Sequence, residues 1–346
     1  MEIGIYTFGD IGIDDKSRQT MSAQQRMQNL LEEIVLADQV GLDVFALGEH
    51  HRPDYIISSP AVVLGAAAVR TKNIKLSSAV TVLSSDDPVR VFQQFSTVDL
   101  LSKGRAEIIA GRGSFIESFP LFGYDLKEYD ALFSEKLEML LALNSSEKIS
   151  WKGQHTQTLN NLGIYPRPFK NKLPVWVAVG GTPESVVRAA EHGLPMALAI
   201  IGGQPASFAP YAQYYKDVYR QAGHDTGKLQ LSINSHTFLA DTSQEANDIF
   251  YPPYAEVMSR IGRERGWSGM SRPQFEQSVS PKGALLVGSP QQVIDKILYE
   301  HELFGHTRFM AQMSLGTVPH KKVLRAIELL GTIVAPAVKK HLYIAA

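Results

Sequence analysis

The chain has 346 residues, 44% hydrophobic and 20% charged, and 34 Lys and Arg against 35 Asp and Glu give a formal net charge of −1. That balance offers no basic surface for nucleic acid or an anionic membrane, and no apolar run approaches the ~18 residues that span a bilayer. Cysteine is absent, which excludes disulfides, thiolate nucleophiles and Cys-ligated zinc or iron–sulfur centres.

The opening MEIGIYTFGD alternates as a strand does and lacks the basic-then-apolar layout of a signal peptide, so a cytoplasmic protein is expected. Ser22 and Gln25 have the spacing of a capping box. Met27, Leu30, Leu31, Ile34 and Ala37 then recur at helical spacing up to Gly41, a left-handed stop. Strands follow at 43–47, 74–82 and 105–110, with helices at 60–70 and 88–101 between them, and Tyr129 to Leu141 marks a further helix. After a Pro-punctuated connection come a strand at 175–179, a helix at 183–192, a strand at 196–200 and a helix to about 222. Strands at 229–239 and 308–312 flank a helix at 289–304, and 251–281 breaks the rhythm as an insertion. About eight short, near-continuously apolar strands predict a single (β/α)8 barrel domain over residues 1–346, with insertions after strands 4 and 7, rather than an open doubly wound sheet.

In such a barrel the chemistry sits in the loops that follow the strands. Gly48-Glu49-His50-His51-Arg52-Pro53 follows the second strand. His50 is a candidate proton carrier near neutral pH, or a histidine that merely packs under its loop. Adjacent residues of extended chain face opposite ways, so His50 and His51 together make a poor metal site. After the fourth strand, Gly111-Arg112-Gly113 lets backbone approach a ligand while Arg112 clamps an anion; an ordinary turn with an exposed arginine fits equally. Gly180, Gly181, Thr182, Pro183 and Ser185 follow the fifth strand. Thr182 suits an N-cap, Pro183 the first helical position, and the free N–H groups a phosphate. Gly288-Ser289-Pro290-Gln291 has nearly the same design, so the caps alone decide nothing. An arginine and a helix start on adjacent loops of one mouth suit a single phosphate monoester, such as FMN carries. No Gly-x-Gly-x-x-Gly follows a strand, so reducing equivalents are expected from outside.

Glu49-His50-His51, Asp87-Pro88-Val89-Arg90, Leu101-Ser102-Lys103-Gly104-Arg105 running into Gly111-Arg112-Gly113, and 189–196 (AAEHGLPM) together resemble the luciferase-like flavin monooxygenases, bacterial luciferase among them. The likeness covers most of residues 1 to about 200 and continues through 288–294 (GSPQQVI). It implies a barrel that binds reduced FMN at the strand C-termini, with His50 at the position of a catalytic histidine. Arg112 then matches a phosphate-binding arginine, and Gly181, Thr182 and Ser185 match the phosphate-binding helix start, with backbone N–H at Gly180 and Gly181 as further donors. Ala79 and Val80 match a pair joined by a non-proline cis peptide beneath the flavin ring. Two departures stand out: another phosphate-contacting arginine falls near Asp130, and Gly181 occupies the place of a glutamate. The activity implied is two-component monooxygenation of a small organic substrate by reduced FMN and O2, with a flavin reductase as partner and a homodimer as the expected assembly. Alternatives are a deazaflavin-dependent dehydrogenase or reductase, a non-catalytic flavin-binding barrel, and a metal-dependent hydrolase using His50 or His51 with His236 or His306. The segment 114–124, rich in aromatic residues, and the 251–281 insertion are candidates to close the site against water. The rings suggest an apolar substrate, or they simply pack on neighbouring helices.

Overall fold

The first and last strands of the main sheet lie side by side, Glu2 opposite Arg308 and Tyr6 opposite Gln312, and this pairing closes the sheet on itself. The computed structural model describes residues 1–12, 17, 19–113 and 115–345. In chain order they form β1 (Glu2–Thr7), α1 (Ala23–Gln39), β2 (Val44–Leu47), α2 (Pro60–Ala68), β3 (Lys75–Ser78), β4 (Thr81–Val82), α3 (Pro88–Ser102) and β5 (Ala106–Gly111). Next come α4 (Ser118–Phe122), α5 (Tyr129–Ser145), the antiparallel pair β6 (Lys148–Trp151) and β7 (Leu159–Gly163), β8 (Val175–Val179), α6 (Pro183–Glu191), β9 (Met196–Ile200) and α7 (Ala209–Gln221). The chain ends with β10 (Leu231–Leu239), α8 (Ser243–Arg265), α9 (Arg272–Val279), β11 (Leu286–Gly288), α10 (Pro290–Phe304), β12 (Arg308–Gln312), α11 (His320–Leu329) and α12 (Ala335–Ala345). Eight parallel strands, β1, β2, β3, β5, β8, β9, β10 and β12, make the closed barrel, with helices around it.

Strand alternation builds two cores. Phe45 and Leu47 point outward into the layer shared with the helices, whereas Val44 and Ala46 join Tyr6, Ile109, Trp176, Ala197 and Met310 inside the barrel. At the N-terminal end, Arg308 pairs with Glu107 and Glu2, and its guanidinium lies 4.1 Å from the centre of the Trp176 ring. That plug blocks one end of the barrel and leaves the C-terminal end to open on solvent.

Both expected insertions are present, and their content is more regular than the sequence suggested. The one after barrel strand four carries α4 and the β6–β7 hairpin, which lies in the Pro-punctuated connection. In the one after strand seven, α8 runs unbroken through Pro252 and Pro253, so the break expected at 251 falls inside a helix. Each interior proline costs a helix about 3 kcal/mol. Burial of Phe250, Tyr254 and Val257 against the barrel offsets that here. The third strand, expected over 74–82, is split into β3 and β4 by a cis peptide bond between Ala79 and Val80. At the break Ser78 takes over the ladder: its hydroxyl donates to the Ile109 carbonyl at 3.1 Å and accepts the Ile109 N–H at 3.0 Å.

Candidate active site

The open end of the barrel holds a cavity of about 290 Å3. Ala79, Ala178, Ala197 and Ala199 line it with Ile109, and these small side chains leave empty the space that Trp176 and Met310 fill deeper in the barrel. The cis-linked Ala79 and Val80 both border the cavity. Gly111 lies so close beneath Val80 that a β-carbon there would meet Val80 Cγ2 at 2.7 Å.

One wall is aromatic and centred on His50. Gly48 lets the chain pass the Ala79 carbonyl, where a β-carbon would come within 2.4 Å. The His50 N–H then donates to the Ile57 carbonyl at 2.9 Å, fixing the backbone. The imidazole stacks on Phe8 at 4.3 Å and meets the edges of Tyr55 at 4.6 Å and Phe115 at 4.7 Å. Burial, reinforced by the charges of Arg52, His51 and Arg265, pushes its pKa down to about 3. The ring is therefore neutral across the physiological range, a hydrogen-bonding group rather than a cation. His51 turns the other way, toward Glu49 Oε1 at 3.4 Å and the Phe122 ring at 5.2 Å. Glu49 also borders the cavity, and burial raises its pKa. His236 is buried beside Gln312, and His306 sits where the chain enters β12, at the opposite end of the barrel. Among the described residues no group of three or more His, Cys, Asp or Glu is placed to hold a metal ion.

The facing rim gathers a guanidinium, two hydroxyls and a helix start. Arg112 leaves β5 between two glycines, Gly113 having φ +80°. Its Nη2 donates to Ser185 Oγ at 3.0 Å and Thr182 Oγ1 at 3.3 Å, and its Nη1 pairs with Asp130. The guanidinium lies 5.0 Å from the Tyr129 ring centre, and the Tyr129 hydroxyl donates to the Gly113 carbonyl at 2.8 Å. Thr182 stands at the N-cap of α6 with Pro183 behind it, as its sequence suggests. Its hydroxyl, however, donates to Ser185 Oγ at 2.8 Å and caps no backbone N–H. Gly180 is exposed, and Gly181, at φ +105°, makes the turn into the helix. The structure thus gathers Arg112, Thr182, Ser185, Gly180 and Gly181 on one rim of the cavity that His50, Ala79 and Val80 border.

Sequence reasoning missed Arg188. It lies three residues beyond Ser185 on α6, a spacing that puts both on one helix face, and that was the available signal. Its guanidinium is 5.3 Å from the Phe133 ring centre, and its Nη1 is shielded from solvent with no hydrogen-bond partner among the described residues. Burial first, then the Arg112 charge, lower its pKa. Phe8 and Tyr55, which frame His50, were likewise unmarked by any motif.

Parts of the two segments expected to close the mouth pack on the loop that carries His50. Phe115 leans on His50, with Arg52 4.5 Å and Arg265 5.3 Å from its ring centre. Arg52 also bonds Glu117 and Glu264, so the residues before α4 and the end of α8 are tied to the loop that carries His50. The other apolar residues of 114–124 divide: Phe119 is fully buried and Tyr124 packs on Lys136, whereas Leu121 and Phe122 are exposed. Ser114, which opens that segment, lies outside the described residues. No helix among the described residues is long and apolar enough to cross a membrane.

Comparison with known proteins agrees with this fold. N-acetyl-S-alkylcysteine monooxygenase of Bacillus subtilis is 26% identical over 288 residues, 80% of this chain and 83% of that protein. The crystal structure of the monooxygenase RslO1 from Streptomyces bottropensis matches with a TM-score of 0.84 at 23% identity, covering 97% of this chain and 99% of that one. The oxygenating constituent of 3,6-diketocamphane monooxygenase from Pseudomonas putida, solved in complex with FMN, matches with a TM-score of 0.78 at 19% identity, over 98% and 99% of the two chains. The family model described as luciferase-like monooxygenase matches residues 1–307. The chain accordingly belongs to the luciferase-like monooxygenase family.

Proposed function

We propose that this chain is the oxygenating component of a two-component monooxygenase that takes reduced FMN from a separate flavin reductase and oxidises a small organic substrate with O2. The observation that carries the reading is that Arg112 belongs at once to the wall of the apolar cavity and to the rim that would seat an anion. A planar ring with a phosphate tail needs that adjacency. The residues present also fit such a group: the shielded, unpartnered Nη1 of Arg188 and the hydroxyls of Thr182 and Ser185 await an acceptor-rich anion. Arg112, Thr182, Ser185 and the backbone N–H groups at Gly180 and Gly181 would hold the phosphate, and Ala79 and Val80 would bear the ring.

Bound reduced FMN supplies the two electrons that let one atom of O2 enter the substrate while the other leaves as water. His50, held neutral, donates or accepts a hydrogen bond at a ring nitrogen without placing a charge in the cavity. Phe115 and the ties made by Arg52 keep water off that histidine. Phe8, Tyr55 and Phe115 make the wall beside His50 apolar, which favours an apolar substrate. The reading includes a cytoplasmic location and a homodimer.

Anaerobic titration with reduced FMN, followed by flavin absorbance, tests it. Saturable binding is expected, weakened about tenfold or more in Arg112→Gln, because a hydrogen bond to a charged group contributes roughly 1.5–3 kcal/mol. Uptake of a deazaflavin in place of FMN would redirect the reading to hydride transfer without oxygen, and uptake of neither would end it.

A further inference from the structure

Arg112 of the cavity wall pairs with Asp130, and Arg188, one turn beyond Ser185, lies over the Phe133 ring, one turn beyond Asp130, with its Nη1 buried and unpartnered. Arg112 comes from the end of β5, Asp130 from the first turn of α5, and Arg188 from the second turn of α6. The two guanidinium groups are close enough for the Arg112 charge to bear on Arg188, and Asp130 acts on both. Like charges are brought together at a site where an anion is to be held, with Asp130 between them and Glu184 acting on Arg188 from the first turn of α6. The Asp130 side chain is 70% exposed, so it can swing into water at little cost. Arg188 also borders an open groove of about 430 Å3 between α5, α6 and α7. Glu138, Glu184 and Glu191 line that groove, which repels an anion and leaves the rim as the place where the Arg188 charge is of use.

We propose that Arg188 is a second anion-binding residue of the seat, and that Asp130 is a built-in stand-in for the anion, displaced from Arg112 when a phosphate monoester dianion docks. The inference rests on the FMN reading and deepens it by adding a residue to the phosphate site and naming the group that holds Arg112 before a phosphate docks. Three terminal oxygens and two negative charges match two guanidinium groups and two hydroxyls. A phosphodiester offers one charge and two free oxygens, too few to engage the whole set. The arginine that the family resemblance placed near position 130 is thereby replaced from another helix.

The test is equilibrium binding of FMN and of riboflavin, which lacks the phosphate, to wild type, Arg188→Gln, Arg188→Lys and Asp130→Asn. FMN affinity should fall about ten- to a hundredfold in Arg188→Gln, recover in part in Arg188→Lys, and rise severalfold in Asp130→Asn. Riboflavin affinity should stay within about twofold throughout. Equal loss of FMN and riboflavin in Arg188→Gln would make Arg188 a packing residue and overturn the inference, as would weaker FMN binding by Asp130→Asn. Wild-type protein that fails to prefer FMN over riboflavin would instead remove the phosphate seat, and with it the reading on which the inference stands.

Discussion

Arg52 and Glu264, 212 positions apart in the chain, meet across the barrel mouth in a two-pronged ion pair, with Nη1 to Oε2 at 2.8 Å and Nη2 to Oε1 at 2.5 Å. Arg52 also reaches Glu117 at 3.0 Å and Asp54 at 3.8 Å, and Arg260 joins Asp54 at 3.1 Å. One side chain thus ties the end of α8 and the residues before α4 over Phe115 and His50. A lone exposed ion pair contributes about 0–1 kcal/mol, but a network held on a single guanidinium contributes more.

Removing that tie should loosen the cover and spare the barrel. In Arg52→Ala, hydrogen exchange of 115–122 and 260–265 should quicken roughly tenfold, consistent with losing about 1–2 kcal/mol of local stability. Exchange in β1, β5 and β12 should be unchanged. Uniform acceleration through the barrel, or none in the two segments, would contradict the latch.

His50 should not titrate as a free histidine does. Its pKa of about 3 keeps the imidazole neutral from pH 5 to 9, so nuclear magnetic resonance of the ring nitrogens should show no protonation over that range. A midpoint near the ordinary value of about 6.5 would mean that the aromatic wall does not enclose the ring.

Two glycines of the mouth should respond oppositely to alanine. Gly111→Ala drives a β-carbon into Val80, at 2.7 Å. It should cost about 1–3 kcal/mol, the usual effect of overpacking, and disturb the cavity floor. Gly180→Ala meets nothing within 4 Å and should leave the unfolding midpoint unchanged. Because Gly180 is invoked only for its backbone N–H, flavin binding should survive there and fail in Gly111→Ala.

The C-terminal helices give a pH signature away from the site. Burial alone would lower the pKa of His320, yet hydrogen bonds to Glu33 and Glu32 outweigh it and the net shift is upward. A value raised by folding stabilises the protonated form. That stabilisation is complete below the unfolded value of about 6.5 and disappears as pH climbs through the folded one. Thermal unfolding of wild type should exceed that of His320→Gln by about 1–3 °C at pH 6, with the gap closing by pH 9. A gap that is constant with pH would show that His320 acts by packing alone.

Much of the fold could be read from the sequence because the parallel strands are buried on both faces and the helix signals are local. Ser22 caps α1 and Gly41 ends its C-terminal turn at φ +80°, as their spacing predicts. Asp87 caps α3 by accepting the Arg90 N–H. The motif around Arg105, which helped carry the family resemblance, proves to be structural: Arg105 donates to the carbonyls of Ala68, Thr71 and Ile74. The β6–β7 hairpin escaped because Leu159–Gly163 holds two asparagines and three exposed positions, so its alternation is faint. The split of the third strand escaped too, since nothing local to Ser77-Ser78-Ala79-Val80-Thr81 marks the cis bond. Of the site, the loop residues were visible through glycines and caps. Arg188 and the rings of Phe8 and Tyr55 were not, because their partners are assembled by the barrel from distant stretches of chain.

Admitting O2 in a stopped flow to protein loaded anaerobically with reduced FMN, in wild type and in His50→Ala, tests the central claim most directly. The account predicts an absorbing species in the wild type, distinct from both reduced and oxidised flavin, that outlasts mixing by seconds and decays faster in the variant. Immediate appearance of oxidised flavin with stoichiometric hydrogen peroxide, identical in the two proteins, would contradict it.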